Sequence, residues 1–131
     1  MEVRLDMHSR VRFAVSVPQV FATGRTVIAD PANEVLVSPA SYWEIAIKVS
    51  LGKWRLQQPF ADLIDSLWTV YGFRVLHITP DHAERLLTLP HPQNHRDPFD
   101  RLLIAQALAE GMPLVSVDDK LDQYGVTRVW A

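Results

Sequence analysis

His95-Arg96-Asp97-Pro98-Phe99-Asp100-Arg101-Leu102-Leu103-Ile104-Ala105-Gln106-Ala107 reads as a loop that turns into a helix. Asp97 is a good N-cap, and Pro98 suits the first helical position, where its missing N–H costs nothing. Asp100 then falls in the first turn, where the helix dipole favours negative charge. Beyond it apolar residues lie around much of the helix, so the spacing predicts a well-buried element ending near Glu110-Gly111. Two acids that cap a helix need no further explanation. Other acids, however, stand beside predicted strand ends or helix starts at Asp6, Glu44 and Asp118.

The alternation of elements places those acids. Val3-Arg4-Leu5-Asp6-Met7 reads as a short strand ending on an acid. From Arg10 to Val15 the chain alternates as a strand does, yet the spacing to Pro18 favours a short helix. Asp30-Pro31-Ala32-Asn33 is a turn, and Glu34 to Ser38 a strand. A helix is expected from Pro39 to Leu51, closed by Gly52, with Ser41 and Glu44 at capping-box spacing. Trp43, Ile47 and Leu51 share one apolar face of it. Glu44 and Lys48 are four apart and suit a surface pair. Leu51 to Leu56 reads as a linker with one or two buried anchors. Phe60 to Tyr71 is the clearest amphipathic segment, its aromatics serving the core. Phe73 to Ile78 is a strand, and Thr79 and Pro80 open a helix through Leu87. Pro113 to Val117 and Thr127 to Trp130 are the last strands.

Strands alternating with helices predict an α/β fold, a three-layer α/β/α sandwich around a mostly parallel sheet of four or five strands, in one domain spanning 1–131. In such sheets sites form outside the carboxyl ends of the strands. Two carboxylates ~5 Å apart repel by roughly 3 kcal/mol at an effective dielectric of about 20, so a cluster of four needs a cation or raised pKa values. Oxygen ligands without cysteine point to Mg²⁺ or Mn²⁺, ions that activate water and stabilise the departing oxygen of a phosphodiester.

Composition narrows the field. The chain has 131 residues, no cysteine and a formal net charge of −2. There is no thiolate nucleophile and no disulfide framework, which fits a reducing cytoplasm. No signal peptide or bilayer-spanning stretch is legible, so no membrane partner is expected. Nucleic acid would be attracted only through a local patch or bound cations. Arg96, Arg101 and Lys48 are candidates for phosphate contacts, although surface pairing explains each equally well. His91 and His95 are four apart, but Pro92 between them argues against a shared helical face and a histidine metal site. Neither a Gly-x-Ser-x-Gly elbow nor a glycine-rich phosphate loop is present.

The order and spacing of Leu5-Asp6-Met7-His8, Val37 to Lys48, Leu51-Gly52-Lys53, Asp97 to Ala107 and Leu114 to Asp118 resembles the PIN-domain ribonucleases, specifically VapC-like toxins of prokaryotic type II toxin–antitoxin systems. The resemblance implies Mg²⁺- or Mn²⁺-dependent cleavage of RNA, with metal-binding, catalytic acids at Asp6, Glu44, Asp100 and Asp118. Asp97 is implied as an accessory acid. A small VapB-like antitoxin that covers the groove is the implied partner, and a homodimer the implied assembly. One segment departs from the pattern: Met7 replaces a hydroxyl residue, and Ser9, Arg10 and Arg12 stand where apolar residues are expected. That departure motivates a rival reading, a catalytically weak PIN module acting mainly as an antitoxin-binding partner. An aspartyl phospho-acceptor domain shares the sheet but wants a paired acid and a late lysine, where this chain has Met7 and Arg128.

Overall fold

The structure, a computed structural model, describes residues 11–17 and 30–130. Five parallel strands run in the order β3-β2-β1-β4-β5: β1 Val11–Val15, β2 Asn33–Val37, β3 Arg74–Val75, β4 Leu114–Val115 and β5 Arg128–Val129. Helices α1 (Ala40–Ser50) and α2 (Phe60–Thr69) lie between β2 and β3, α3 (Pro80–Leu86) and α4 (Pro98–Glu110) between β3 and β4, and a 3₁₀ helix, Asp119–Tyr124, precedes β5.

Side-chain alternation divides the core between the two faces of the sheet. Ala14, Leu36 and Leu114 point to one side, where they meet Leu103, Ile104 and Ala107 of α4 and Leu86 of α3. Phe13, Val15, Val35, Val37 and Val115 point to the other, against Ile45 of α1 and Leu67 of α2. The result is the α/β/α sandwich that the alternation of elements predicts.

Of the segment expected to be a helix, from Arg10 towards Pro18, the described residues Val11–Val15 are instead the central strand. Phe13, Ala14 and Val15 are all buried, because a parallel strand with neighbours on both edges and helices on both faces hides every side chain. Arg12 lies at the entry of β1, where it pairs with Glu34 of β2 at 3.1 Å, so it does not enter the core. The strand expected at Val3 to Met7, and Asp6 with it, lies outside the described residues.

Helix α1 also turns a different face inward. Trp43 and Leu51, expected on the apolar stripe, are 67% and 62% exposed, whereas Ser41, Glu44 and Ile45 are buried. The capping box does not form: Pro39 is the N-cap, and Ser38 Oγ accepts from the Ala40 N–H at 3.3 Å. The linker's anchors are Trp54 and Leu56, both packed on the α1/α2 side of the core. Thr79 caps α3 as expected, with His82 closing a capping box.

Candidate metal site at the carboxyl edge of the sheet

Helix α4 starts where its sequence says it should. Asp97 is the N-cap, and its Oδ1 accepts from the N–H groups of Phe99 at 2.9 Å and Asp100 at 3.0 Å. Pro98 occupies the first position, and Gly111 ends the helix with φ 66°, in the left-handed region that glycine enters without strain. Fixing this start fixes Asp100 within the first turn, beside the carboxyl end of β4.

Asp118 arrives from the other direction. It caps the 3₁₀ helix, its Oδ1 accepting from the Lys120 N–H at 3.0 Å, while its own N–H donates to Ser116 Oγ at 3.1 Å. Asp100, Ser16 and Asp118 line one small cavity. The inward face of α1 brings Glu44 within range of the charges of Asp97 and Asp100, buried and paired with Lys48 Nζ at 3.2 Å, though it does not line that cavity.

The electrostatics record the gathering. Burial raises the pKa of Asp100 above its ordinary value, and the nearby charges of Asp97 and Asp118 add to that, against a hydrogen bond from His95. Glu44 is raised too, by burial first and then by Asp97 and Asp100, with Lys48 opposing. Glu44, Asp97, Asp100 and Asp118 thus form one group of interacting like charges. Asp6, the remaining acid of the expected set, lies outside the described residues.

One participant is not legible in the sequence pattern. His95 is buried, with Nε2 3.0 Å from Asp100 Oδ2 and Nδ1 2.7 Å from the Tyr124 hydroxyl. A ligand atom from each of His95, Asp100 and Asp118 lies within 4.8 Å of the others. Two oxygens on opposite sides of one Mg²⁺ are about 4 Å apart, so this spread is close to what a single ion bridges. Carboxylates that are crowded and hold protons more tightly than usual fit a hard divalent cation, which removes their repulsion. His95, bonded on both ring nitrogens, fits the part of the group that orients a ligating acid. Of the candidate phosphate contacts, Lys48 is engaged by Glu44. The guanidinium of Arg101 donates to the Pro90 carbonyl at 2.7 Å and the Tyr124 hydroxyl at 3.2 Å.

In fold the chain is similar to the VapBC2 complex of Rickettsia felis, crystallised bound to a DNA fragment from its promoter. The TM-score is 0.65 at 12% identity, over 92% of this chain and 98% of that one. It is similar too to FitAcB from Neisseria gonorrhoeae (TM-score 0.58, 13% identity, 88% and 95% covered) and to FitAB bound to an IR36 DNA fragment (0.60, 13%, 90% and 94%). No curated protein matches the chain. The PIN domain family model matches residues 22–126, which takes in Glu44, Asp97, Asp100 and Asp118. A match of that length decides membership: the chain belongs to the PIN-domain family.

Proposed function

We propose that the chain is a divalent-metal-dependent endoribonuclease, the toxin of a toxin–antitoxin pair. The observation that carries this reading is the closeness of Asp100 and Asp118, with His95, at the carboxyl edge of the sheet, with Glu44 outside that close group yet near enough to feel the charges of Asp97 and Asp100. Membership in the PIN family supports it, as does the likeness in fold to a VapBC complex.

Glu44, Asp100 and Asp118 would hold Mg²⁺ or Mn²⁺, with Asp97 as the accessory acid. Bound there, the ion would supply Lewis acidity to a phosphodiester and a more acidic water. The chain's own residues do the positioning. Asp97 holds the first turn of α4, so Asp100 cannot swing with a fraying helix end. His95, anchored by Tyr124, fixes the Asp100 carboxylate from behind. RNA as the substrate, a small antitoxin covering the site, a homodimer and a cytoplasmic setting belong to this same reading.

The test is cleavage of RNA by the full chain with and without Mn²⁺, beside Asp100→Asn. Metal-dependent cleavage lost in the variant supports the reading. Equal activity in both proteins removes it.

A further inference from the structure

The end of the central strand carries a side chain that the metal site as described leaves unused. Parallel pairing sets Val15 level with Val37 on one side and Val115 on the other. The next residue of each strand is a serine, so Ser16, Ser38 and Ser116 stand in a row along the carboxyl edge. Two of the three hydroxyls are committed to backbone. Ser38 Oγ accepts from the Ala40 N–H at 3.3 Å, and Ser116 Oγ from the Asp118 N–H at 3.1 Å. Among the described residues, no hydrogen bond engages the Ser16 hydroxyl. Ser16 lines a cavity of about 50 Å³ together with Asp100, Ser116 and Asp118. That is room for an ion and about one water.

The middle of a parallel sheet is where strand ends converge on a ligand, and here the middle strand ends in an alcohol. The match to the PIN family model begins at residue 22, downstream of both β1 and Ser16, so that match does not include Ser16 itself. Resting on the metal-site reading above, we propose that Ser16 completes the cavity as a neutral hydroxyl at the place where a further carboxylate would stand. The ion is then held by Glu44, Asp100 and Asp118 with one negative charge fewer. Ligand charge count is a principal determinant of affinity at carboxylate sites. An alcohol at this corner keeps repulsion lower when no ion is bound, at the cost of a weaker, faster-exchanging site.

The experiment is calorimetric titration of the full chain with Mn²⁺, and thermal melting with and without Mn²⁺, for the native protein and for Ser16→Ala, Ser16→Asp and Ser16→Asn. Ser16→Asp should bind Mn²⁺ about tenfold more tightly or better. It should also melt lower without the ion and gain more on adding it. Ser16→Asn, similar in shape but uncharged, should not reproduce the gain, and Ser16→Ala should bind several-fold more weakly. Unchanged affinity in folded Ser16→Asp overturns the inference, and if that variant does not fold, unchanged affinity in Ser16→Ala overturns it instead. A loss of about tenfold or more in Asp6→Asn would place the further carboxylate on Asp6 and overturn it as well. If the native chain binds Mn²⁺ and Asp100→Asn abolishes this while the Ser16 variants change nothing, only this inference falls. If Mn²⁺ binds none of these proteins, or Asp100→Asn leaves binding intact, the metal-site reading falls and this inference with it.

Discussion

His95 Nε2 stands 3.0 Å from Asp100 Oδ2, a buried ring against a half-buried carboxylate at the junction of loop and helix. Tyr124 holds the far side of the ring at 2.7 Å. Removing a residue that orients a ligating carboxylate typically costs ~10–100-fold in metal affinity. His95→Ala should therefore weaken Mn²⁺ binding within that range, and Tyr124→Phe should weaken it less, because the ring stays packed. Titration calorimetry on both variants checks the order.

Asp97 has two separable duties. As the N-cap it accepts two backbone N–H groups, and as an anion it presses on Glu44 and Asp100. Asp97→Ala should cost roughly 1 kcal/mol of stability through the lost cap. Asp97→Asn keeps a capping oxygen and should cost only a few tenths, while removing the charge. Urea unfolding reads the first effect. A drop in the pKa of Asp100 in Asp97→Asn, followed by carboxyl NMR, reads the second.

Proton competition arises from the raised pKa values of Glu44 and Asp100, whose first cause is burial. A carboxyl with a raised folded pKa holds its proton at a pH where the unfolded chain has released it. The ion-free protein should therefore gain stability from these two groups as pH falls from above their raised values towards the ordinary carboxylate range. Metal binding runs the opposite way: affinity should fall as pH drops through the raised values, with protons released on binding above the number that ordinary carboxylates would give. Titrations in buffers of different ionisation enthalpy count those protons.

On the opposite edge, Glu34 spans three strands. It accepts from Arg12 Nε at 3.1 Å and Arg74 Nη1 at 3.0 Å, joining β1, β2 and β3. The hydrogen bond from Arg74, and then the other contacts of the two arginines, hold its pKa below the ordinary value. Its contribution is therefore present above the unfolded pKa and lost as pH falls through the lowered one. Both arginines are well exposed, so Glu34→Gln should cost no more than about 1 kcal/mol. The cost should shrink in high salt. Urea unfolding at two salt concentrations checks both statements.

Helix α4 is legible residue by residue because its signals are local: a capping acid, a proline at the first turn and a glycine after the last. The central strand is not. Its alternation gives way to three buried residues in a row, Phe13 to Val15, which suit strand and helix alike, and what decides its state is pairing with β2 and β4, distant in sequence. The face of α1 misleads for a related reason. Trp43, Ile47 and Leu51 form the better apolar stripe, yet the helix turns Glu44 inward, towards Asp97 and Asp100, residues too distant in sequence for the local pattern to register. His95 gives no signal because its partners, Asp100 and Tyr124, are five and 29 positions away and match no metal-binding spacing.

Lys48 bears on how this acidic edge exists at all. Its ammonium lies 3.2 Å from Glu44 Oε2 on the adjacent helical turn, so one of the gathered anions already has a tethered placeholder cation. Such an internal counter-ion offsets part of the repulsion in the chain by itself, and on the metal-site reading proposed above an ion ligated by Glu44 would have to displace it.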